Sequence, residues 1–321
     1  MKSFYFVAVM FSFSLLSSSH LKADDQPFPL NAKKILFLGD SITHAGHYIS
    51  IIEGQLRLQS LGVPELINLG LPSETCSGLS EPDHPFPRPD VHERIDRALD
   101  KVKPDVVVAC YGMNDGIYYP FSEDRFEKYQ TGIREIIKKV NASGARLILM
   151  TPPAFDPLPL KEKGKLLPAG EEKYAWFSIY EGYDDVMKKY AAWVMTLKDD
   201  VDMVIDLHTP VNEYVMVKRK SDPQFTMSPD GVHVNEEGHF VIAAAILKAW
   251  SIQISYRKHG RFSELVHQKQ TILHNSWLSH VGHKRPGVKD GLPLDEAKMK
   301  ADEVEKKIQE RIIWVKPNLL K

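Results

Sequence analysis

Ser41 lies in the run Gly39-Asp40-Ser41-Ile42-Thr43, directly after the apolar stretch 33–40 (KKILFLGD). If that stretch is a strand, Ser41 stands at its carboxyl end beside a helix N-terminus, where open α/β sheets bind ligands and unpaired N–H groups can hold negative charge. A serine hydroxyl attacks nothing near neutral pH until a base withdraws its proton. The chain must therefore also supply a histidine, and preferably a carboxylate to orient it. Ser228-Pro229-Asp230-Gly231-Val232-His233 supplies both. Spacing of three across a glycine-containing turn lets Asp230 reach one ring nitrogen of His233 while the other faces Ser41.

Groups so far apart in sequence need a scaffold whose strand ends converge. Short runs rich in Val, Ile and Leu at 33–40, 65–69, 105–110, 145–151 and 201–207 predict five strands covered on both faces. Between them, 47–60 places Tyr48, Ile51, Ile52 and Leu56 at helical spacing before Gly62 and Pro64 stop it. Ser122 predicts the cap of a helix carrying Phe126, Tyr129, Ile133, Ile136, Ile137 and Val140, ended by Gly144. Residues 181–197 and 236–250 predict later helices, the second capped by Asn235. The proline-rich stretches 81–89 and 152–168 predict long loops beside strand ends, where function concentrates.

The chain has 321 residues, 43% hydrophobic and 26% charged, which is ordinary globular composition. Lys and Arg (41) nearly cancel Asp and Glu (42) and no basic block occurs, so a nucleic-acid or other polyanion partner is not expected. Lys2, the apolar stretch 4–16, the polar stretch 17–22 and Ala23 predict a signal peptide over 1–23, hence a secreted or periplasmic protein. That apolar stretch is short for a bilayer and no later one approaches about 18 residues, so stable membrane insertion of the mature protein is not expected. An uncleaved N-terminal anchor is the alternative. Cys76 and Cys110 permit one disulfide, but two buried thiols is the simpler reading because Cys110 ends an apolar strand.

Residues 33–250 resemble the SGNH, or GDSL-type, esterases and acylhydrolases. GDSIT at 39–43 looks like that family's first block, and Asn68-Leu69-Gly70-Leu71-Pro72-Ser73-Glu74-Thr75 resembles its NxGxSGxT block with Ser73 where the family's glycine lies. Gly112-Met113-Asn114-Asp115 matches GxND, and Asp230 to His233 matches DxxH. The resemblance implies a three-layer, flavodoxin-like, doubly wound α/β fold with a parallel five-stranded sheet. It implies Ser41 as nucleophile, His233 as base and then acid, and Asp230 as the group holding the imidazole. The oxyanion donors it implies are the Ser41 N–H, the N–H at Ser73 and the Asn114 side-chain amide, with Gly70 as an alternative. If position 73 needs positive φ, a serine there costs about 1 kcal/mol.

The catalytic domain is expected over 24–251, followed by a helical C-terminal extension over 252–321 packed on it, since so short a piece makes a poor core of its own. Within it, Phe262, Leu265, Val266, Ile272 and Leu273 suggest one helix, and Leu294, Ala301, Val304, Ile308 and Ile312 another. Trp277 and Trp314 are read as packing residues. Were the extension to cap the cleft, residues 280–285 would meet a carboxylate or sulfate on the substrate. Asp115 is expected to orient the Asn114 loop, Gly39 and Asp40 to shape the turn, and His44 and His47 to lie on the surface at a helix start, with lining of the substrate pocket as their alternative. His274, His280 and His283 lack metal-ligand spacing. No GxGxxG, phosphate-loop or GxSxG pattern occurs, so no cofactor is expected. The reading is an exported serine esterase acting on acyl, above all acetyl, esters of carbohydrate through an acyl-enzyme. The alternatives are a lysophospholipase or thioesterase acting on lipid, an O-acyltransferase, and a catalytically silent binding module.

Overall fold

A computed structural model describes residues 26–255 and 260–319. The signal-peptide expectation for 1–23 falls outside them. Along the chain come β1 (Lys34–Gly39), α1 (Ser41–Ala45), α2 (His47–Leu58), β2 (Glu65–Asn68), α3 (Ile95–Val102), β3 (Val106–Cys110) and α4 (Glu123–Ser143). They are followed by β4 (Arg146–Met150), α5 (Leu158–Lys161), β5 (Leu166–Leu167), β6 (Ile179–Tyr180), α6 (Tyr183–Val194), β7 (Met203–Ile205) and α7 (His208–Arg219). The described chain closes with α8 (Glu236–Ala249), α9 (Gly260–Val281) and α10 (Leu294–Leu319).

Five strands pair in parallel in the order β2-β1-β3-β4-β7. This is the doubly wound flavodoxin order, whose ligand crevice opens where the winding reverses, between β1 and β3. Alternate residues feed two separate cores. Leu36, Leu38, Val107, Ala109, Leu147 and Leu149 pack toward α3, α4 and α6, while Ile35, Phe37, Val106, Val108, Ile148 and Met150 pack toward α2, α7 and α8. Burial on both faces is why the strands read as unbroken apolar runs.

The predicted helix signals hold at the two best-capped helices. Ser122 Oγ accepts from Arg125 N–H ahead of α4, and Gly144 leaves it at φ 82°. Asn235 Oδ1 accepts from Gly238 N–H at 3.1 Å ahead of α8. Other expectations are corrected. Helix α7, between the fifth strand of the sheet and the loop bearing Asp230, was unread; only His208, Val211 and Val215 of it are buried, too few for a clear period. Helix α3 was also unread, although Ile95, Ala98, Leu99 and Val102 recur at helical spacing. The stretch 152–168 is not wholly loop, since it holds α5 and β5.

The C-terminal helices complete the sheet's flank. Helix α9 runs along α2 and the edge strand β2; Trp277, Leu278 and Val281 join the α3–α4 core, and Phe262, Leu265 and Val266 pack with Leu58, Val304 and Ile308. Trp314, expected to pack, is 72% exposed: the buried stripe of α10 runs through Val304, Ile308 and Val315, and position 314 lies one residue, about 100° of helix, off it.

Candidate active site

Strand β1 ends at Gly39 and the chain turns at once into α1, with Asp40 Oδ1 capping Ile42 N–H at 2.9 Å. The turn is tight because Gly39 has no side chain: a Cβ there would lie 2.3 Å from Thr43 Oγ1 and 2.9 Å from the Cys110 carbonyl. Ser41 is thereby the first residue of α1, and its N–H has no acceptor within the helix. Burial pushes the Asp40 carboxyl up to about 6.

From the other end of the chain, the turn after Pro229 folds Asp230 onto its own loop. Asp230 Oδ1 accepts from Val232 N–H at 3.0 Å and from His233 N–H at 2.7 Å. Its second oxygen lies 2.7 Å from His233 Nδ1, and His233 Nε2 lies 2.7 Å from Ser41 Oγ. With the Nδ1 proton on the side of the carboxylate, Nε2 is free to accept the serine proton. The hydrogen bond that His233 Nδ1–H donates to Asp230 raises the His233 pKa, in spite of burial. Burial alone would raise Asp230, but the bond and charge of His233 outweigh it and hold the carboxyl at about 2.

Three residues that line one cleft, Ser41, Ser73 and Asn114, each carry an N–H hydrogen with no acceptor among the described residues. Asn114, on the turn after β3, accepts the Tyr118 hydroxyl at Oδ1 (3.0 Å) and gives one amide hydrogen to the Glu74 carbonyl (3.2 Å). Its orientation is fixed and its second hydrogen stays available. Ser73 adopts φ 67°, the left-handed conformation in which a serine is strained, and its N–H finds no acceptor among the described residues. Two ties hold this loop. Glu74 is clamped by Arg94 through two 2.6 Å bonds, and Asp115 Oδ1 accepts from Cys76 N–H (2.9 Å) and Ser77 N–H (2.8 Å). Asp115 thus binds the Asn114 turn to the Ser73 loop.

Gly70 is excluded as the alternative donor. Its N–H is spent on Asn68 Oδ1 at 2.8 Å, and its lack of a side chain serves packing, a Cβ there falling 2.3 Å from His44 N. His44 is not a surface histidine: it is half-buried, with Nδ1 2.9 Å from His274 Nε2, while His274 Nδ1 reaches the Asn68 carbonyl at 2.8 Å. His47 is exposed and stacks on His267 at 4.0 Å. Among the described residues no group of His, Cys, Asp and Glu could hold a metal ion. Cys76 and Cys110 are separate buried thiols.

Ser41, Ser73, Asn114 and His233 line one cleft of about 250 Å³, together with Arg88, Arg285 and the rings of Phe86, Tyr118 and Trp176. A smaller, more enclosed hollow of about 120 Å³ continues from Tyr118 and His233 past Trp176 and Phe177, which are 52% and 45% exposed. Larger hollows, about 580 Å³ beside Asp105 and Gly144 and about 640 Å³ beside Gly132, join no nucleophile to a base. Sequence reasoning missed Trp176, Phe86, Tyr118 and Arg88, which stand on loops without periodicity; the proline-rich stretch 81–89 was the available signal for two of them.

The profile of the GDSL-like lipase/acylhydrolase family matches residues 37–240. No curated protein matches the sequence. Among solved structures, a gut microbial diltiazem-metabolizing enzyme, BT4096, is similar with a TM-score of 0.53 and 18% identity, over 68% of this chain and 47% of that one. The chain therefore spans about half the length of that protein. Axe2, an acetylxylan esterase from Geobacillus stearothermophilus, gives a TM-score of 0.50 and 20% identity, over 71% of this chain and 97% of that one. At such identities the likeness is one of fold.

Proposed function

Since the chain belongs to the GDSL-like lipase/acylhydrolase family, whose members cleave ester bonds, we propose that it is an exported serine esterase removing short acyl groups, acetyl above all, from carbohydrate. The observation that carries the reading is the unbroken path Asp230–His233–Ser41 with both links at 2.7 Å, ending beside three idle donors. Export rests on the signal-like composition of 1–23, and the division into a catalytic domain over 24–251 and an extension over 252–321 rests on the sequence pattern.

The steps follow from the geometry. His233 Nε2 takes the Ser41 proton as Oγ attacks the acyl carbon. The resulting oxyanion accepts from Ser41 N–H, Ser73 N–H and the second Asn114 amide hydrogen. Collapse expels the alcohol, which takes its proton from the imidazolium, and Asp230 stabilises that cation throughout. Water, deprotonated by His233, then releases the acid and restores Ser41.

Two features favour a small acyl group on a sugar. A cleft of about 250 Å³ is below the usual range for drug-sized ligands, which favours a short acyl group over a fatty one. Exposed Trp176 and Phe177 at its rim give flat apolar faces on which a sugar ring can stack while its hydroxyls stay wet. The test compares wild type and Ser41→Ala on acetylated glycans, lysophospholipids and aryl esters of graded chain length. Expected is turnover of acetyl esters by wild type alone, with covalent fluorophosphonate labelling of Ser41. Equal activity in both proteins refutes the nucleophile; preference for long acyl chains refutes the substrate class.

A further inference from the structure

We propose that Arg285 binds an oxyanion on the alcohol portion of the substrate, so that the preferred ester is an acylated acidic sugar carrying a carboxylate or sulfate. This rests on the reading of the cleft as an ester site and names its substrate class.

Arg285 sits in the connection between α9 and α10 and reaches back over the cleft that holds Ser41. Its Nε donates to the Pro72 carbonyl at 2.9 Å and its Nη1 to the Pro286 carbonyl at 2.6 Å, while its guanidinium lies 5.1 Å from the centre of the Phe86 ring. Nη2 makes no hydrogen bond among the described residues, and no carboxylate there pairs with this arginine. The neighbouring arginines behave differently. Arg88 is clamped by Glu81 through two 2.6 Å bonds and Arg94 by Glu74 in the same way, all four side chains being nearly inaccessible. Those pairs build the loops and are neutral as units; Arg285 keeps its charge for something else.

The lining of the cleft includes two arginines and no aspartate or glutamate. With Arg88 neutralised by Glu81, Arg285 is the arginine of this lining without a carboxylate partner among the described residues, and after burial its charge is among the causes that lower the pKa of His84 on the lining and of nearby His44. Guanidinium forks suit planar oxyanions, and a partly desolvated site strengthens the contact. Anchoring through Pro72, the residue before Ser73, places the cation close to the donors awaiting the acyl oxygen. The anion and the scissile ester therefore belong to the same or adjacent sugar rings.

A purely structural Arg285 would staple the connection to Pro72, and its loss would slow charged and neutral esters alike. The experiment measures kcat/KM for matched O-acetyl esters of glucuronate, of its uncharged methyl ester and of a sulfated glucose, with wild type, Arg285→Gln and Arg285→Lys. One charge-assisted contact predicts a preference of roughly ten- to hundredfold for an acidic ester over the neutral one. It should fall as salt is raised, vanish in Arg285→Gln and return in part in Arg285→Lys. The two acidic arms decide between carboxylate and sulfate. No charge preference in wild type, or one unmoved in Arg285→Gln, overturns the proposal. Should Arg285→Gln fail to fold, the preference and salt response of wild type still decide. Calorimetry of glucuronate, sulfated glucose and glucose with Ser41→Ala reads the anion site without chemistry. Selective binding of an acidic sugar by a protein that cleaves no ester would support Arg285 and refute the esterase reading; ester cleavage without charge preference would do the reverse.

Discussion

In the proposed mechanism the imidazole of His233 must be neutral to accept the Ser41 proton, and the bond it donates to Asp230 raises its pKa above the ordinary 6.5. The sign is unambiguous: protonation below that raised value removes the base, so kcat/KM should rise with pH along an acid limb whose midpoint lies above 6.5. A pH profile on an uncharged acetyl ester reads it. Asp230→Asn removes the charge that orients and stabilises the imidazolium and should lower kcat by about 10³–10⁴. Asn114 acts at a different moment, when the carbonyl oxygen has become an anion. Its Oδ1 is engaged by Tyr118 and one N–H by Glu74, so the remaining hydrogen is aimed before substrate arrives. Asn114→Ala should therefore reduce kcat about 10²–10³-fold with KM little changed, as steady-state kinetics would record.

At the scale of elements, the crevice between β1 and β3 sets what must fit. The turn after β2 passes so close to α1 that only glycine is accommodated at 70, the virtual Cβ lying 2.3 Å from His44 N, a backbone atom that cannot step aside. Gly70→Ala should cost about 1–3 kcal/mol in denaturant unfolding and displace the Ser73 loop, lowering kcat as well. This bears on how much the sequence could say. The strands were legible because, Lys34 apart, both faces of β1 and β3 are buried and carry no polar side chain, and the candidates Ser41, Asn114 and His233 were legible because they lie at strand ends or on a turn before a helix cap. Gly70 stayed open as an alternative donor in the sequence because its partner, Asn68 Oδ1, is set by tertiary geometry. Trp176 reaches the cleft from a loop whose path depends on distant packing, and no periodicity announces it; Arg285 lies in the basic run 280–285 that composition did single out. Helix α7 carries too few buried residues to stand out from its surroundings.

Over the whole molecule, the C-terminal helices are tied into the central sheet. His274 of α9 meets the Asn68 carbonyl, and the Asn68 side chain holds both the Thr43 carbonyl (2.8 Å) and the Gly70 N–H, so the extension braces the two segments that flank the nucleophile. Farther along α9, Glu53 of α2, only 2% exposed, sits among Arg57, Lys269 and Gln270, and Glu305 of α10 closes the group by pairing with Arg57 at 2.7 Å. Despite burial, which would raise it, the neighbouring cations lower the Glu53 pKa; the bond from Arg57 helps hold Glu305 at about 2. For depressed carboxyls the stabilisation is present above their ordinary 4.5 and is lost as pH falls through the folded value, so the docking of α9 and α10 should persist from neutral pH down to about 4.5 and weaken below it. Removing Glu53 leaves two cations facing a single carboxylate in a nearly closed site, a change that typically costs about 3–5 kcal/mol. Glu53→Ala should accordingly lower the unfolding midpoint and open the connection around Arg285 to proteolysis at neutral pH. If the two helices were loosely appended, thermal unfolding and cleavage rates would match wild type; if they brace the site, acetyl-ester turnover falls along with stability.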